Sequence, residues 1–116
     1  MQHITVVGSG TMGNGIAHTF AQNGYSVSLV DVNPEALKKA LLSIETNLDK
    51  QINKQTLTEH AKTTTLNKIK TFTNLQAATV NAELVIEAAT ENFETKVKLF
   101  KDLDNLCLPN TILATN

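Results

Sequence analysis

Four of the chain's five glycines, Gly8, Gly10, Gly13 and Gly15, fall within the ten residues VVGSGTMGNG at positions 6–15. Glycine is unfavourable inside both helices and strands, so such a cluster marks a backbone bent for a purpose. In the spacing G-x-G-x-x-G, Gly8 permits a tight turn and Gly10 lets the main chain approach a ligand with no Cβ between them. Gly13 lets the following helix pack close to its neighbours. The backbone N–H groups from Ser9 through Thr11 to Met12 then point at a diphosphate, together with the positive end of a helix dipole. The chain contains no Arg, so a phosphate bound here uses backbone donors, and no cationic side chain is expected to be needed. Asp31 lies 18 residues beyond Gly13, near the roughly 20 at which a carboxylate takes the adenosine ribose hydroxyls of a dinucleotide. Asn33 and Pro34 follow it, so a turn-capping role is the competing reading of Asp31; the glycines ahead of it favour the ribose. A carboxylate there repels a 2′-phosphate, and NAD is expected over NADP.

The elements that must position these residues are legible from apolar periodicity. ITVVG at 4–8 is a β-branched apolar run stopped by glycine, as a buried parallel strand would be. From Thr11 the pattern turns helical, with Met12, Ile16, Phe20 and Ala17, Ala21 recurring at spacings of three and four until Asn23 and Gly24. SVSLV at 26–30 is a second strand that Asp31 closes. Asn33, Pro34 and Glu35 then supply a cap, a first helical residue and an acid for the dipole. The stripe Leu37, Leu41, Ile44, Leu48, Ile52 sustains that helix, and Thr56 or Thr58 caps a further one running toward Ile69, weakened by three consecutive threonines at 63–65. A short strand is expected at 71–73 with a helical turn near Leu75, a buried strand at 83–88, an amphipathic helix at 92–106 and a last strand at 111–115. Strands alternating with helices in this way predict an α/β fold, a doubly wound parallel sheet covered by helices on both faces.

Composition narrows the function classes. The 116 residues suit one domain with an aliphatic core, since 41% are hydrophobic and there is no Trp. Ten Lys against eleven acids give a net charge of −1, which argues against binding nucleic acid by neutralising its phosphates. Residues 35–70 nonetheless hold seven Lys and four acids, a local +3 that fits a solvated helix face or an anionic ligand. Cys107 is the one cysteine and lies in an apolar LCLP context, as a buried thiol in a reducing compartment would. His3, His18 and His60 show no metal-ligand spacing. No segment reaches membrane-spanning length, and a cytoplasmic location is expected.

Three ordered segments, VVGSGTMGNGIAHTFAQNGYSVSLVDVN, LVIEAATENFETKVKLFKDLD and ILATN, resemble the NAD-binding domain of the 3-hydroxyacyl-CoA dehydrogenase family, in particular its bacterial 3-hydroxybutyryl-CoA members. The similarity runs from Ile4 to Asn116. It implies a Rossmann-type domain with a helical insertion after the second strand. It further implies that Glu91 and Lys96 contact the cofactor on its ribose and nicotinamide side and that Asn116 touches the nicotinamide half. Lys54 matches a lysine near the CoA phosphates, although a solvated lysine fits that position as well, and Asn47 stands where relatives place a CoA-contacting Ser. The family's Ser, His-Glu pair and second Asn, which perform the proton chemistry, come after the equivalent of Asn116. The resemblance therefore implies that residues 1–116 are an incomplete cofactor domain without catalytic residues and without the helical dimerisation domain. It implies an acyl-CoA substrate and a homodimer for the full-length protein. Two other readings stay open at this level: a stand-alone nucleotide-binding module, and an S-adenosylmethionine-dependent methyltransferase, which shares a glycine-rich turn and an acid after the second strand.

Overall fold

The structure, a computed structural model, describes residues 2–80 and 82–88 in full and residues 112–115 as backbone. The elements run β1 (His3–Val7), α1 (Thr11–Gln22), β2 (Ser26–Val30), α2 (Pro34–Asn53), α3 (Glu59–Asn67), β3 (Ile69–Phe72), α4 (Leu75–Thr79), β4 (Leu84–Glu87) and β5 (Ile112–Thr115). All five strands are parallel, in the order β3-β2-β1-β4-β5. The chain winds outward from β1 in one direction and then resumes on its other side, which is the doubly wound topology expected, with its switch point between β1 and β4. The anticipated helix at 92–106 and Cys107 lie outside the described residues.

Alternation along β1 builds both layers. Ile4 and Val6 face one side, where Ala17, Ala21, Val27, Leu29, Leu37, Ala40, Ile44 and Leu48 complete the main core under α1 and α2. Thr5 and Val7 face the other side, where Val7 packs with Ala82, Val85 and Leu75 and the Thr5 hydroxyl donates to the Ala78 carbonyl of α4 at 2.7 Å. Each fully buried aliphatic side chain here contributes roughly 1.5–3 kcal/mol.

Local chemistry sets the helix starts. Asn33 accepts from the Glu35 N–H at 3.0 Å, Thr58 from Ala61 at 3.1 Å and Asn74 from Ala77 at 3.1 Å, each satisfying an otherwise orphaned donor. Thr58, not Thr56, is therefore the cap of α3. The threonine run lies within α3, with the hydroxyls of Thr63, Thr64 and Thr65 turned onto the carbonyls four residues back.

Two expectations shift. Strand β3 begins at Ile69, because Ile69 to Phe72 pair in register with Val27 to Val30, and sheet pairing overrides the weak helical pattern there. Met12, placed on the inward stripe of α1, is 56% exposed, while Gly13, Ala17 and Ala21 are buried. Gly13 takes the inward position at the glycine turn, where a Cβ would meet the Gly8 carbonyl oxygen, and Met12 beside it is turned outward.

Candidate functional site

The carboxyl ends of β1 and β2 and the amino end of α1 converge at the glycine turn. Gly8 adopts φ +101°, a conformation that strains any residue with a Cβ. Its N–H donates to the Val30 carbonyl at 2.7 Å, fastening the turn to the end of β2. A Cβ on Gly13 would collide with the Gly8 carbonyl oxygen, whereas one on Gly10 would meet nothing within 4 Å. Gly8 thus makes the turn and Gly13 allows the close packing, as expected, while Gly10 faces open space.

Asp31 stands directly beside this turn. Its Oδ2 accepts from the Ser9 hydroxyl at 2.8 Å and the Ser9 N–H at 3.1 Å, and its Oδ1 accepts from the Asn33 N–H at 2.9 Å. Partial burial acts to raise its pKa, but the hydrogen bonds from Asn33 and Ser9 outweigh that and hold the carboxyl below the ordinary aspartate value, favouring the carboxylate. Asp31 therefore also performs the turn-fixing task that the competing reading gave it. One consequence departs from expectation: the Ser9 N–H is directed at Asp31 and not outward. The first turn of α1, beginning with Thr11, Met12 and Gly13, has no side-chain cap and no acidic residue, which leaves its donors and dipole directed at the groove.

That groove, about 240 Å³, is lined by Ser9, Gly10, Thr11 and Asn14 on one side and by Ala36, Lys39, Ala40 and Ser43 of α2 on the other. A larger groove of about 570 Å³ shares Thr11, Asn14 and Ser43 with it and continues past Leu42 and Thr46 to Asn47. The wall formed by Lys39 was not anticipated, since periodicity places a residue on a helix face but not against a particular loop. Lys54 is the exposed residue that ends α2 and borders neither groove. Glu91, Lys96 and Asn116 lie outside the described residues.

Glu87 is a further acid that the motif reading passed over. It ends β4, pairs in register with Val7 and Thr115, and is fully buried at the carboxyl end of this interior strand, level with the last residue before the glycine turn. The available signal was an acid closing the apolar run LVIEA, since acids are almost never fully buried without a partner.

The residues fit a dinucleotide. An open approach at Gly10, an uncapped helix start and a fixed carboxylate at the end of β2 match its diphosphate and its adenosine ribose. Among the described residues no group of His, Cys, Asp and Glu is placed to hold a metal ion, and no helix is long and apolar enough to cross a membrane.

Comparison with known proteins agrees with this geometry. The family described as "3-hydroxyacyl-CoA dehydrogenase, NAD binding domain" matches residues 3–116. The chain is 40% identical over 116 residues to a probable 3-hydroxybutyryl-CoA dehydrogenase of Bacillus subtilis, covering all of this chain and 40% of that protein. It is likewise 40% identical over 116 residues to 3-hydroxyadipyl-CoA dehydrogenase of Escherichia coli, of which it covers 24%. The crystal structure of (S)-3-hydroxybutyryl-CoA dehydrogenase from Ralstonia eutropha superposes with a TM-score of 0.95 at 40% identity, covering 100% of this chain and 41% of that one. The chain thus spans about two-fifths or less of the length of these relatives.

Proposed function

The chain belongs to the NAD-binding domain family of the 3-hydroxyacyl-CoA dehydrogenases, and from that premise we propose that it is the cofactor-holding part of an enzyme oxidising a short (S)-3-hydroxyacyl-CoA, such as (S)-3-hydroxybutyryl-CoA, to the 3-oxoacyl-CoA. The observation that supports this reading best is the pairing of the glycine turn with Asp31, joined by the two Ser9 bonds. NAD held there would supply the hydride acceptor for oxidation at C3 of the substrate. The protein's own part is to bind and orient it. Gly10 and the first turn of α1 receive the diphosphate, and Asp31 takes the ribose hydroxyls while excluding a 2′-phosphate. In the same proposal Glu91, Lys96 and Asn116 contact the ribose and nicotinamide half, and Lys54 stands near the CoA phosphates.

Proton transfer from the substrate hydroxyl needs a base and an orienting carboxylate. The family resemblance assigns these to residues with no counterpart in positions 1–116. The proposal therefore assigns these residues to an incomplete cofactor domain and the chemistry to a longer polypeptide, acting as a cytoplasmic homodimer on an acyl-CoA substrate. The test is NADH formation by that polypeptide with NAD and a series of (S)-3-hydroxyacyl-CoA esters. Turnover that depends on both reactants supports the reading; a folded, NAD-binding polypeptide that oxidises none of the esters defeats it.

A further inference from the structure

We propose that Lys39 is a ligand of the nucleotide diphosphate seated at the glycine turn, and so supplies the cationic side chain that the sequence motif lacks. The inference rests on the dinucleotide reading of that site. Lys39 lies in the second turn of α2 and lines the groove of about 240 Å³ opposite Gly10 and Thr11, between the small residues Ala36 and Ala40.

Two other lysines, Lys38 of α2 and Lys62 of α3, are committed to acids. Lys38 pairs with Glu35 at 3.6 Å, and Lys62 pairs with Asp49 at 2.7 Å and Glu45 at 3.6 Å. Among the described residues no acid pairs with Lys39, nor with Lys50 or Lys54 at the far end of the same helix, and of these three only Lys39 lines the groove.

Charge accounting points the same way. A diphosphate brings two negative charges to a site that already holds the Asp31 carboxylate. The amino end of α1 offers the equivalent of only about half a positive charge. Asp31 is fixed on the loop by Ser9 and cannot turn away. An ammonium on the opposite wall offsets this excess at short range, and a flexible stem lets it follow a phosphate as a point charge without the fixed geometry of a guanidinium.

NAD and CoA both contain a diphosphate, so the experiment separates them. Calorimetric titrations with NAD, ADP-ribose and CoA compare the unaltered 116-residue chain with Lys39→Gln, Lys39→Arg and Lys38→Gln at low and at physiological ionic strength. Expected are a loss of about fivefold for NAD and ADP-ribose in Lys39→Gln, retention in Lys39→Arg and Lys38→Gln, and a smaller loss at higher salt. Equal NAD affinity in Lys39→Gln and the unaltered chain overturns the proposal. A loss confined to CoA overturns the assignment to the cofactor. If the unaltered folded chain binds no NAD, the dinucleotide reading itself falls.

Discussion

At the scale of single residues, the glycines and Asp31 make separable predictions. A Cβ at Gly10 meets open space, so Gly10→Ala is expected to leave thermal stability within a degree or two while weakening NAD binding about tenfold or more, because the added methyl stands where the diphosphate approaches. Gly13→Ala forces a methyl against the Gly8 carbonyl and is expected to cost stability, about 1–3 kcal/mol in chemical denaturation. Similar stability losses in both variants would contradict the division of roles. Asp31 adds a pH signature. Its folded pKa is held below the ordinary aspartate value, so its hydrogen bonds contribute stability that is present above the unfolded-state value and is lost as pH falls through the folded one. Denaturation of Asp31→Asn between pH 3 and 7 should show a flatter acid limb than the unaltered chain; an unchanged limb would show that Asp31 is not a source of acid sensitivity. The motif spacing made these residues legible before any coordinates. It could not show that Asp31 holds the Ser9 N–H, because that bond joins two loops 22 residues apart.

At the scale of elements, α2 both completes the core and walls the groove. Leu48 is fully buried on its inner face, and Leu48→Ala is expected to destabilise the fold by about 2–5 kcal/mol, read as a shift in denaturant midpoint with an unchanged slope. A cost below 1 kcal/mol would mean that α2 is not part of the cooperative core. Helix α3 is held to α2 by Lys62, whose pKa is raised by the hydrogen bond it donates to Asp49 and by the nearby acids, against partial desolvation. The cap at Asn33 and the stripe along α2 were readable because they depend on local chemistry and period, while Thr56 and Thr58 were equal candidates that only the bond from the Ala61 N–H to Thr58 separates. The start of β3 and the exposure of Met12 were not readable. Both are decided by non-local packing, the first by pairing with β2 and the second by the approach of α1 to the glycine turn.

At the scale of the whole molecule, the doubly wound parallel sheet was legible from the alternation of strands and helices, whereas the order β3-β2-β1-β4-β5 and its switch point are set by which strands pair across the sheet. Lys39 was not legible either, since the meeting of α2 with the glycine turn is a tertiary fact. The 116 residues span about two-fifths or less of the relatives named above, and under the proposed function they supply cofactor binding alone. Incubation of this chain with NAD and (S)-3-hydroxybutyryl-CoA is therefore expected to yield no NADH above background; steady turnover would show that its own residues perform the proton transfer. The most direct test of the central claim is a calorimetric comparison of NAD and NADP binding to the folded chain and to Asp31→Ala. Binding of NAD with NADP at least tenfold weaker, and a loss of that preference in Asp31→Ala, is the result expected. A folded chain that binds neither nucleotide, or both equally well, would contradict it.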